Sequence, residues 1–520
     1  MELELQKEQI CTNRKIYSGR MEHIETTEII IPDYLPDVRA VISSQAQIYI
    51  KDKSAADDKI TVSGEIHFTA LFAADGDKSP LSVSGRAPFV EIFKAAAPAS
   101  NAFVRVSVNL GQNEAHIVNS RKIGFRAVLE IDVSAYEPQT IETVSGFSKE
   151  IDVKTLKTAK DLCLFTSYAE KMISVEEDLY LPQSSPSAKE LLSYRARLIS
   201  DSVKLISNKA IIKGSAKVVF VYLSADGTPE LETFESEIPF SLIADMPGVL
   251  ETFDAETAFE ISNVTAALSS DSGGRTFSVS ISASVSVCAY MRAAVESITD
   301  AFSTTHELFI KTDESPVYNL FEKKSAAISI RDSIKPPDGM DIAKVADIYC
   351  ELSAFDSTIK GGEIKLTASA DVRALCISDE GAAFCAMKTL PVNLSVATGG
   401  NKKAEVCVNA PPPELSFNLN MSGEIEIKIV GEASIYIFEN TPFTCVVSAE
   451  AQKKTDETGD DLPALFAYFP DKKETIWDIA KKYGASPEDI IGANSLSASV
   501  QSALDTSHML LIPRIKLSGK

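Results

Sequence analysis

The sequence repeats itself three times at a spacing of close to 150 residues. Prolines stand at positions 36, 186 and 336, so successive copies lie 150 residues apart. Other matched positions keep the same or nearly the same spacing: Ile30, Tyr180 and Ile330; Ile42, Leu192 and Ile342; Ala46, Ala196 and Ala346; Tyr136, Tyr290 and Tyr436. Repeated segments of this kind fold as copies of one structural unit. We therefore divide the first 450 residues into three repeats, 1–150, 151–300 and 301–450.

Each repeat carries the period-two pattern of β-strands. Ile425, Ile427 and Ile429 alternate with Glu and Lys, and residues 125–133 and 279–287 alternate in the same way. Acidic-glycine pairs at 75–76, 226–227 and 380–381 separate apolar runs, as hairpin turns do. A unit of this length with about six strands is most simply a two-sheet sandwich. The predicted fold class is therefore mainly β, with three tandem β-sandwich-like repeats.

The remaining segments of the repeats give weaker signals. A short strand such as 28–31 precedes a proline-started turn of helix at 36–42, and a similar turn is expected from Ser185. The segments that lead into the second and third repeats, 154–160 and 295–324, are expected to be helical or irregular. Five alternate serines, at 278, 280, 282, 284 and 286, form one face of a strand. Solvent exposure is the favoured interpretation of that face, and contact with a neighbouring unit is the alternative.

Composition limits the classes of partner. The formal net charge is −22, which disfavours nucleic acid and anionic membrane, because both require a basic face. No basic start with an apolar run opens the chain, and no apolar window is long enough for membrane insertion. The eight cysteines form no Cys-x-x-Cys pair, so we expect reduced thiols in a cytosol, used in strands as small hydrophobic residues.

The last part of the chain has a different pattern. Residues 451–465 are mostly polar and are expected to form a flexible linker. From residue 466 onward seven Lys/Arg oppose six Asp/Glu, so nearly all of the negative charge lies before this module. Thr475 is a predicted helix cap with Asp478 three residues later, and Gly484 a predicted stop. Ser486 and Pro487 start a second helix, and residues 509–513 suggest a closing strand.

Residues 466–515 resemble a LysM domain, which has a β-α-α-β order. The matching motifs are Thr475-Ile476-Trp477, Ile479-Ala480, Tyr483-Gly484, Asn494 and Leu511-Ile512-Pro513. The pattern departs from the family at Lys473-Glu474, where Gly-Asp is usual, and at 505–508, where the usual Val-Gly-Gln is absent. These segments border the groove in which the family binds N-acetylglucosamine-containing glycan. The resemblance therefore implies the fold, with either a glycan or a protein as ligand.

Three β-repeats followed by a linker and a LysM-like end resemble the SipL-type spore coat assembly proteins, whose repeat is the SPOCS domain. The motif Pro32-Asp-Tyr-Leu-Pro36-Asp37 and the Ala-Asp-Gly hairpins carry this part of the resemblance. The resemblance implies a morphogenetic scaffold in the mother-cell cytoplasm of an endospore-forming bacterium. There it would lie at the forespore surface and bind the coat morphogenetic ATPase, stage IV sporulation protein A, through the LysM module.

The candidate partner-binding residues all lie in this module. Trp477 is the only tryptophan and lies about 100° from the apolar helix face, so we expect it to be half exposed. It then serves either as an interface anchor or as a cover for the edge of a small core. Asn494 also fits a structural role at the end of its helix. The candidate set is Trp477, Phe466, Tyr468, Lys473, Lys481 and Asn494. Phe469 lies directly after Tyr468, and because side chains alternate between the two faces of a strand, Phe466, Tyr468 and Phe469 cannot all be buried.

No arrangement of catalytic residues stands out. The five histidines, at 23, 67, 116, 306 and 508, form no helical metal-binding pair, and no phosphate-binding glycine loop is present. The sequence therefore favours a protein without enzymatic activity, cofactor or metal. Two alternatives to the scaffold stay open: a peptidoglycan-binding protein of the cell wall or spore cortex, and a cytosolic enzyme with a cleft between repeats.

Overall fold

The structure is a computed structural model dominated by strands. Strands make up 77% and helices 4%, which confirms the mainly β prediction. The residues described are 3–74, 79–95, 102–147, 151–225, 229–453, 465–471, 474–496 and 509–513. The expected linker and the first two acidic-glycine turns lie largely outside them. The third expected turn is described, and Gly381 there has a φ of 83°, in the left-handed region that favours glycine.

The first and second units each contain six strands in the same order. The first unit comprises β1 (Leu5–Ile30), β2 (Val38–Ala56), β3 (Lys59–Ala74), β4 (Leu81–Lys94), β5 (Phe103–Asn119) and β6 (Lys122–Phe147). The second comprises β7 (Val153–Tyr180), β8 (Ala188–Ile206), β9 (Lys209–Ser224), β10 (Leu231–Asp245), β11 (Asp254–Leu268) and β12 (Thr276–Ser303). The strand bounds of the two units thus repeat about every 150 residues.

The third unit divides the same path into shorter pieces. Its strands are β13 (His306–Ile334), β14 (Lys344–Leu352), β15 (Asp356–Lys360), β16 (Glu363–Ile377), β17 (Ala383–Ala397), β18 (Glu405–Asn409), β19 (Glu414–Leu419) and β20 (Ile425–Lys453). Two pairs of short strands, β14 with β15 and β18 with β19, replace single strands of the other units. The long first and last strands, β13 and β20, are kept.

Each unit packs two sheets against each other. In the first unit one sheet has the order β1-β6-β5 and the other β2-β3-β4, with all neighbours antiparallel. The inward-facing residues of both sheets form one core, which includes Ile66, Phe68, Phe125 and Leu129. Alternating apolar residues thus bury one face of each of these two sheets.

The first and last strands of every unit extend beyond the sandwich as a two-stranded ribbon. β1 pairs with β6 along 26 residues, and β7 with β12 and β13 with β20 do the same over similar lengths. The expected helical or irregular segments 154–160 and 295–324 lie in these ribbons and are strands, so that prediction was wrong. Val295, Ile298 and Ala301 of these segments are buried, and pairing between the long strands overrides local propensity.

The three ribbons pack against one another, so the units are not independent beads. Aromatic side chains from all three meet in one buried cluster, where the rings of Tyr318 and Phe438 stack at 4.8 Å and Phe165 contacts Tyr136 and Tyr290 at 5.3 Å. β12, β7, β13 and β20 also belong to one sheet, in which a single residue pair, Leu164 with Asn319, joins β7 to β13. Burial of these large rings against each other is a strong hydrophobic tie between the units.

Charged contacts add to the contacts between units. Arg195 of the second unit makes a bidentate ion pair with Asp347 of the third, and Arg105 of the first lies 3.2 Å from Glu256 of the second. Lys15 of the first unit pairs with a carboxylate on β18. Each unit is therefore in contact with both others, which makes a closed body around the three ribbons.

The proline motif that precedes β2 forms a turn and not a turn of helix. The amide of Leu35 donates to the carbonyl of Pro32, and Arg121 donates to three carbonyls of this loop. In the second unit Arg275 binds the loop that begins at Pro182 in the same way. Strand β2 then begins at Val38, two residues after Pro36, so the helical prediction was wrong here. Pairing of the following β-branched residues with β3 decides the outcome.

The face formed by the five alternate serines of β12 is partly enclosed. Ser284 and Ser286 are buried, and Ser278 donates to Asp178 across the ribbon at 2.6 Å. Ser284 binds Glu170, which also lies 3.1 Å from Lys53 of the first unit. Plain exposure is therefore wrong for Ser284 and Ser286, whereas the other three serines of this face are half-buried. The link to the first unit runs through Glu170 and Lys53.

The C-terminal module has the order strand, helix, helix, strand. Its elements are β21 (Leu465–Tyr468), α1 (Ile476–Tyr483), α2 (Pro487–Ala493) and β22 (Leu510–Pro513). β21 and β22 pair antiparallel, and both helices cover one face of that pair. Neither of the two described helices is long and apolar enough to cross a membrane.

Candidate interaction site of the C-terminal module

Local sequence signals fix the first helix of the module. The Thr475 side chain accepts from the amide of Asp478 at 3.1 Å, and the Asp478 carboxylate accepts from the amide of Thr475 at 2.9 Å. This reciprocal pair is the predicted capping box. Gly484 has a φ of 64° and ends the helix as expected. The caps hold the helix in one register and so fix the direction of Trp477.

Trp477 is buried, and this overturns the expectation that it is half exposed. Only 4% of its surface is accessible. Its indole Nε1 donates to the Asp300 carboxylate of β12 at 2.8 Å, and its ring meets Phe302 edge-on at a centroid distance of 4.9 Å. Lys481, one turn later, lies 2.7 Å from the same carboxylate. The covering residues come from the body, some 177 positions earlier, so helix geometry could not reveal them.

The aromatic residues of β21 and the one that directly follows it have different surroundings. Phe466 and Tyr468 point toward the helices, where each packs edge-on against Tyr483 at 4.8 and 5.2 Å. Phe469 is 63% exposed, as expected if not all three aromatics can be buried. Phe466 and Tyr468 are partly buried, so each combines a packing role with an accessible edge.

A small polar network surrounds Tyr468. Its hydroxyl donates to Glu474 at 2.8 Å, and Lys482 lies 3.2 Å from the same hydroxyl. The backbone amide of Asp471 also donates to Glu474, and this bond is the main reason that the pKa of Glu474 lies below its usual value. The carboxylate in turn raises the pKa of Tyr468. Tyr468 is therefore held as a neutral hydrogen-bond donor.

The two other candidate residues have different outcomes. Lys473 lies outside the described residues. The Asn494 amide nitrogen donates to the carbonyls of Ile490 and Leu511 at 2.8 and 2.7 Å, and its carbonyl accepts from the Leu511 amide at 2.7 Å. Asn494 thus ties the second helix to β22, which is the structural role considered for it, and its contribution to partner binding stays a prediction.

The structure adds a surface that sequence reasoning missed. Among the described residues, apolar side chains line the outer face of the β21–β22 pair. Leu465 is largely exposed there, as are Phe469 and Met509 next to the two strands. The missed residues on the body are Asp300 and Phe302. The signal for the outer face was the unbroken apolar composition of both short strands, since a strand with one solvated face normally alternates with polar residues.

The body holds a polar centre where the three units meet. Arg373 of the third unit donates to the carbonyls of Ser44 and Asn113 in the first unit, at 3.1 and 2.8 Å. A cavity of about 20 Å³ lies beside it, which is enough for about one water molecule. Within the described part of the chain, no group of three His, Cys, Asp or Glu side chains is arranged to hold a metal. The contacts of Arg373 hold the units together.

Comparison with known proteins gives two matches within the body. Residues 37–118 and 187–269 match the family model described as "SipL, SPOCS domain". The first segment runs from the residue before β2 almost to the end of β5, and the second brackets β8–β11. The search of curated proteins returned no match, and neither did the search of solved structures. The two segments occupy equivalent places in the first and second units, and they support a relationship of this chain to the SipL-type family.

Proposed function

We propose that this chain is a non-enzymatic scaffold of spore coat assembly, located in the mother-cell cytoplasm at the forespore surface. The observation that carries the proposal is the pair of SPOCS matches at equivalent positions of two repeats, which suggests a protein related to the spore coat. The structural repeat extends the same architecture to the third unit. The contacts among the three units give a body able to present several surfaces in fixed relation to one another.

The proposed partner is a coat morphogenetic ATPase of the stage IV sporulation protein A type, bound by the C-terminal module as a LysM-like domain. Support comes from the β-α-α-β order, the capping box and the link from Asn494 to β22, which agree with the LysM resemblance. The proposed contacts are Trp477, Phe466, Tyr468 and Lys481. Aromatic side chains with a charged neighbour are common anchors of protein interfaces.

The test is recovery of the ATPase with the full-length chain from sporulating cells. We expect recovery with the natural chain, and loss both after removal of 466–520 and in Trp477→Glu. Asp489→Asn is a matched control, because it changes an exposed acid on the second helix and leaves the proposed contacts intact. Circular dichroism of the purified variants checks the fold.

Two results would contradict the proposal. One is a folded Trp477→Glu chain that retains the ATPase as well as the natural chain does. The other is sedimentation of the chain with purified peptidoglycan in place of any protein partner, which would support the glycan-binding alternative.

A further inference from the structure

The Asp300 carboxylate of the body makes hydrogen bonds to two side chains of the module, and Lys154 of the body also lies 3.8 Å from Glu488 of the module. Asp300 accepts from the indole of Trp477 at 2.8 Å and from the Lys481 ammonium group at 2.7 and 2.8 Å. Hydrogen bonds with a charged partner are about twice as strong as neutral ones. Asp300 thus joins two of the proposed partner-binding residues to the ribbon of the second unit.

Apolar packing completes this contact. Phe302 is buried in the same cluster as Trp477, Ile476 and Ile479, and Leu156 of the neighbouring strand packs at its edge. The core of the module therefore continues into the body. An aromatic pair at edge-on geometry adds about 0.5–1.5 kcal/mol beyond the area that it buries.

Only one of the three ribbons offers these groups. A bulge interrupts the ladder in each ribbon at an equivalent point, and the residues that follow it are Gly146, Asp300 and Ser448. Two positions further on, Phe302 of the second ribbon corresponds to Glu450 of the third. The acid and the aromatic ring that bind Trp477 are thus specific to the second unit, although the backbone is repeated in all three.

We propose that the end of the second ribbon is a docking site for the C-terminal module and that docking hides Trp477 from the protein partner. This inference rests on the proposed function, because it concerns the same tryptophan. A partner that uses Trp477 binds only the undocked fraction, so docking weakens the apparent affinity by that fraction. Because the module is covalently joined to the body, its effective concentration at the docking site is about a millimolar, so the module can occupy the site even if its intrinsic affinity is weak.

Docking can be measured without the partner, because Trp477 is the only tryptophan. Asp300→Ala with Phe302→Ala in the full chain should shift the fluorescence emission to the red and increase quenching by acrylamide. Asp300→Ala alone should do the same to a lesser degree, which covers the case that loss of Phe302 disturbs the ribbon. Ser448→Ala with Glu450→Ala is the matched control on the third ribbon and should leave emission unchanged. Unchanged emission in both Asp300 variants would overturn the dock.

The consequence for binding is measured with the purified ATPase. The undocked chain should bind it at least about fivefold more tightly than the natural chain, which is the lower end of usual coupling between sites. Equal affinity, with quenching that shows an exposed tryptophan, would overturn the gating role and leave the proposed function intact. If neither chain binds, the proposed function and the gating fail together, while the fluorescence result still decides on the dock.

Discussion

Removal of the Asp347 carboxylate should loosen the second and third units from each other. Its two oxygens accept from the Arg195 guanidinium at 2.5 and 2.7 Å, and Arg195 also lies 4.7 Å from the Tyr349 ring centroid. The Asp347 side chain is only 6% exposed. In Asp347→Ala the guanidinium stays buried without its counter-charge, and such a loss costs about 3–5 kcal/mol. This corresponds to more than about a hundredfold in the equilibrium for separating the two units.

Urea unfolding and native-state hydrogen exchange can measure this change. We expect a lower unfolding midpoint and faster exchange on β8 and β14, which carry the pair. Arg195→Met with Asp347→Leu should recover most of the loss, because both charges are then replaced by apolar groups. Glu28→Gln, which removes a partly exposed pair with Lys122, should change stability by less than about 1 kcal/mol. If Asp347→Ala is no more destabilising than Glu28→Gln, the buried pair does not hold the units together.

Two further predictions concern packing and thiol chemistry. Gly64→Ala should lower the free energy of unfolding in urea by about 1–3 kcal/mol, because the added Cβ would lie 2.5 Å from a backbone carbonyl oxygen and 2.7 Å from the Phe89 ring. Gly111→Ala, where the nearest atom to the added Cβ is 3.5 Å away, should leave stability nearly unchanged. Equal unfolding midpoints for the two variants would refute the packing argument. Burial raises the pKa of the Cys288 thiol to about 12, so this thiol should stay protonated at pH 8. It should therefore react with a thiol reagent far more slowly than the exposed Cys11 does. Equal labelling rates of the two cysteines in the folded chain, measured by mass spectrometry, would refute this prediction.

The alternation of apolar and polar residues was enough to predict the mainly β class of fold. Alternation is a direct consequence of strand geometry, so 279–287 and 425–429 were assigned correctly. The caps of the first C-terminal helix were also predictable, because Thr475 and Gly484 act on adjacent backbone atoms. In each of these cases the deciding interaction lies within a few residues of the signal.

The ribbons could not be predicted because their stabilising partners are distant. Residues 154–160 contain Lys at every third position and only two apolar residues, which suggests an exposed irregular segment when they are considered alone. In the structure they pair with the end of β12, some 140 residues later. The same limit applies to Trp477, for which helix geometry gave an orientation but not the body that covers it.

The positions that depart from the repeat are those that carry specific interactions. Residues that recur in the repeats are explained by packing within the unit. In the first two units a glycine lies under an aromatic ring of the neighbouring strand, Gly64 under Phe89 and Gly214 under Phe240. The equivalent pair in the third unit is Ala368 with Val392. In this third pair alanine replaces the glycine and the smaller valine replaces the phenylalanine. The two positions therefore change together, and their combined volume stays similar.

The acid at Asp300 is not matched by a change that the strand pairing requires. Its counterparts in the other ribbons are glycine and serine, and the long strands pair in all three ribbons. A charged residue that the fold does not require is best explained by what it binds, and here it binds Trp477 and Lys481. Comparison of the repeats with one another can therefore separate residues that build the unit from residues that make one unit different, without any second sequence. On that criterion Asp300 and Phe302 are residues that distinguish the second ribbon from the other two.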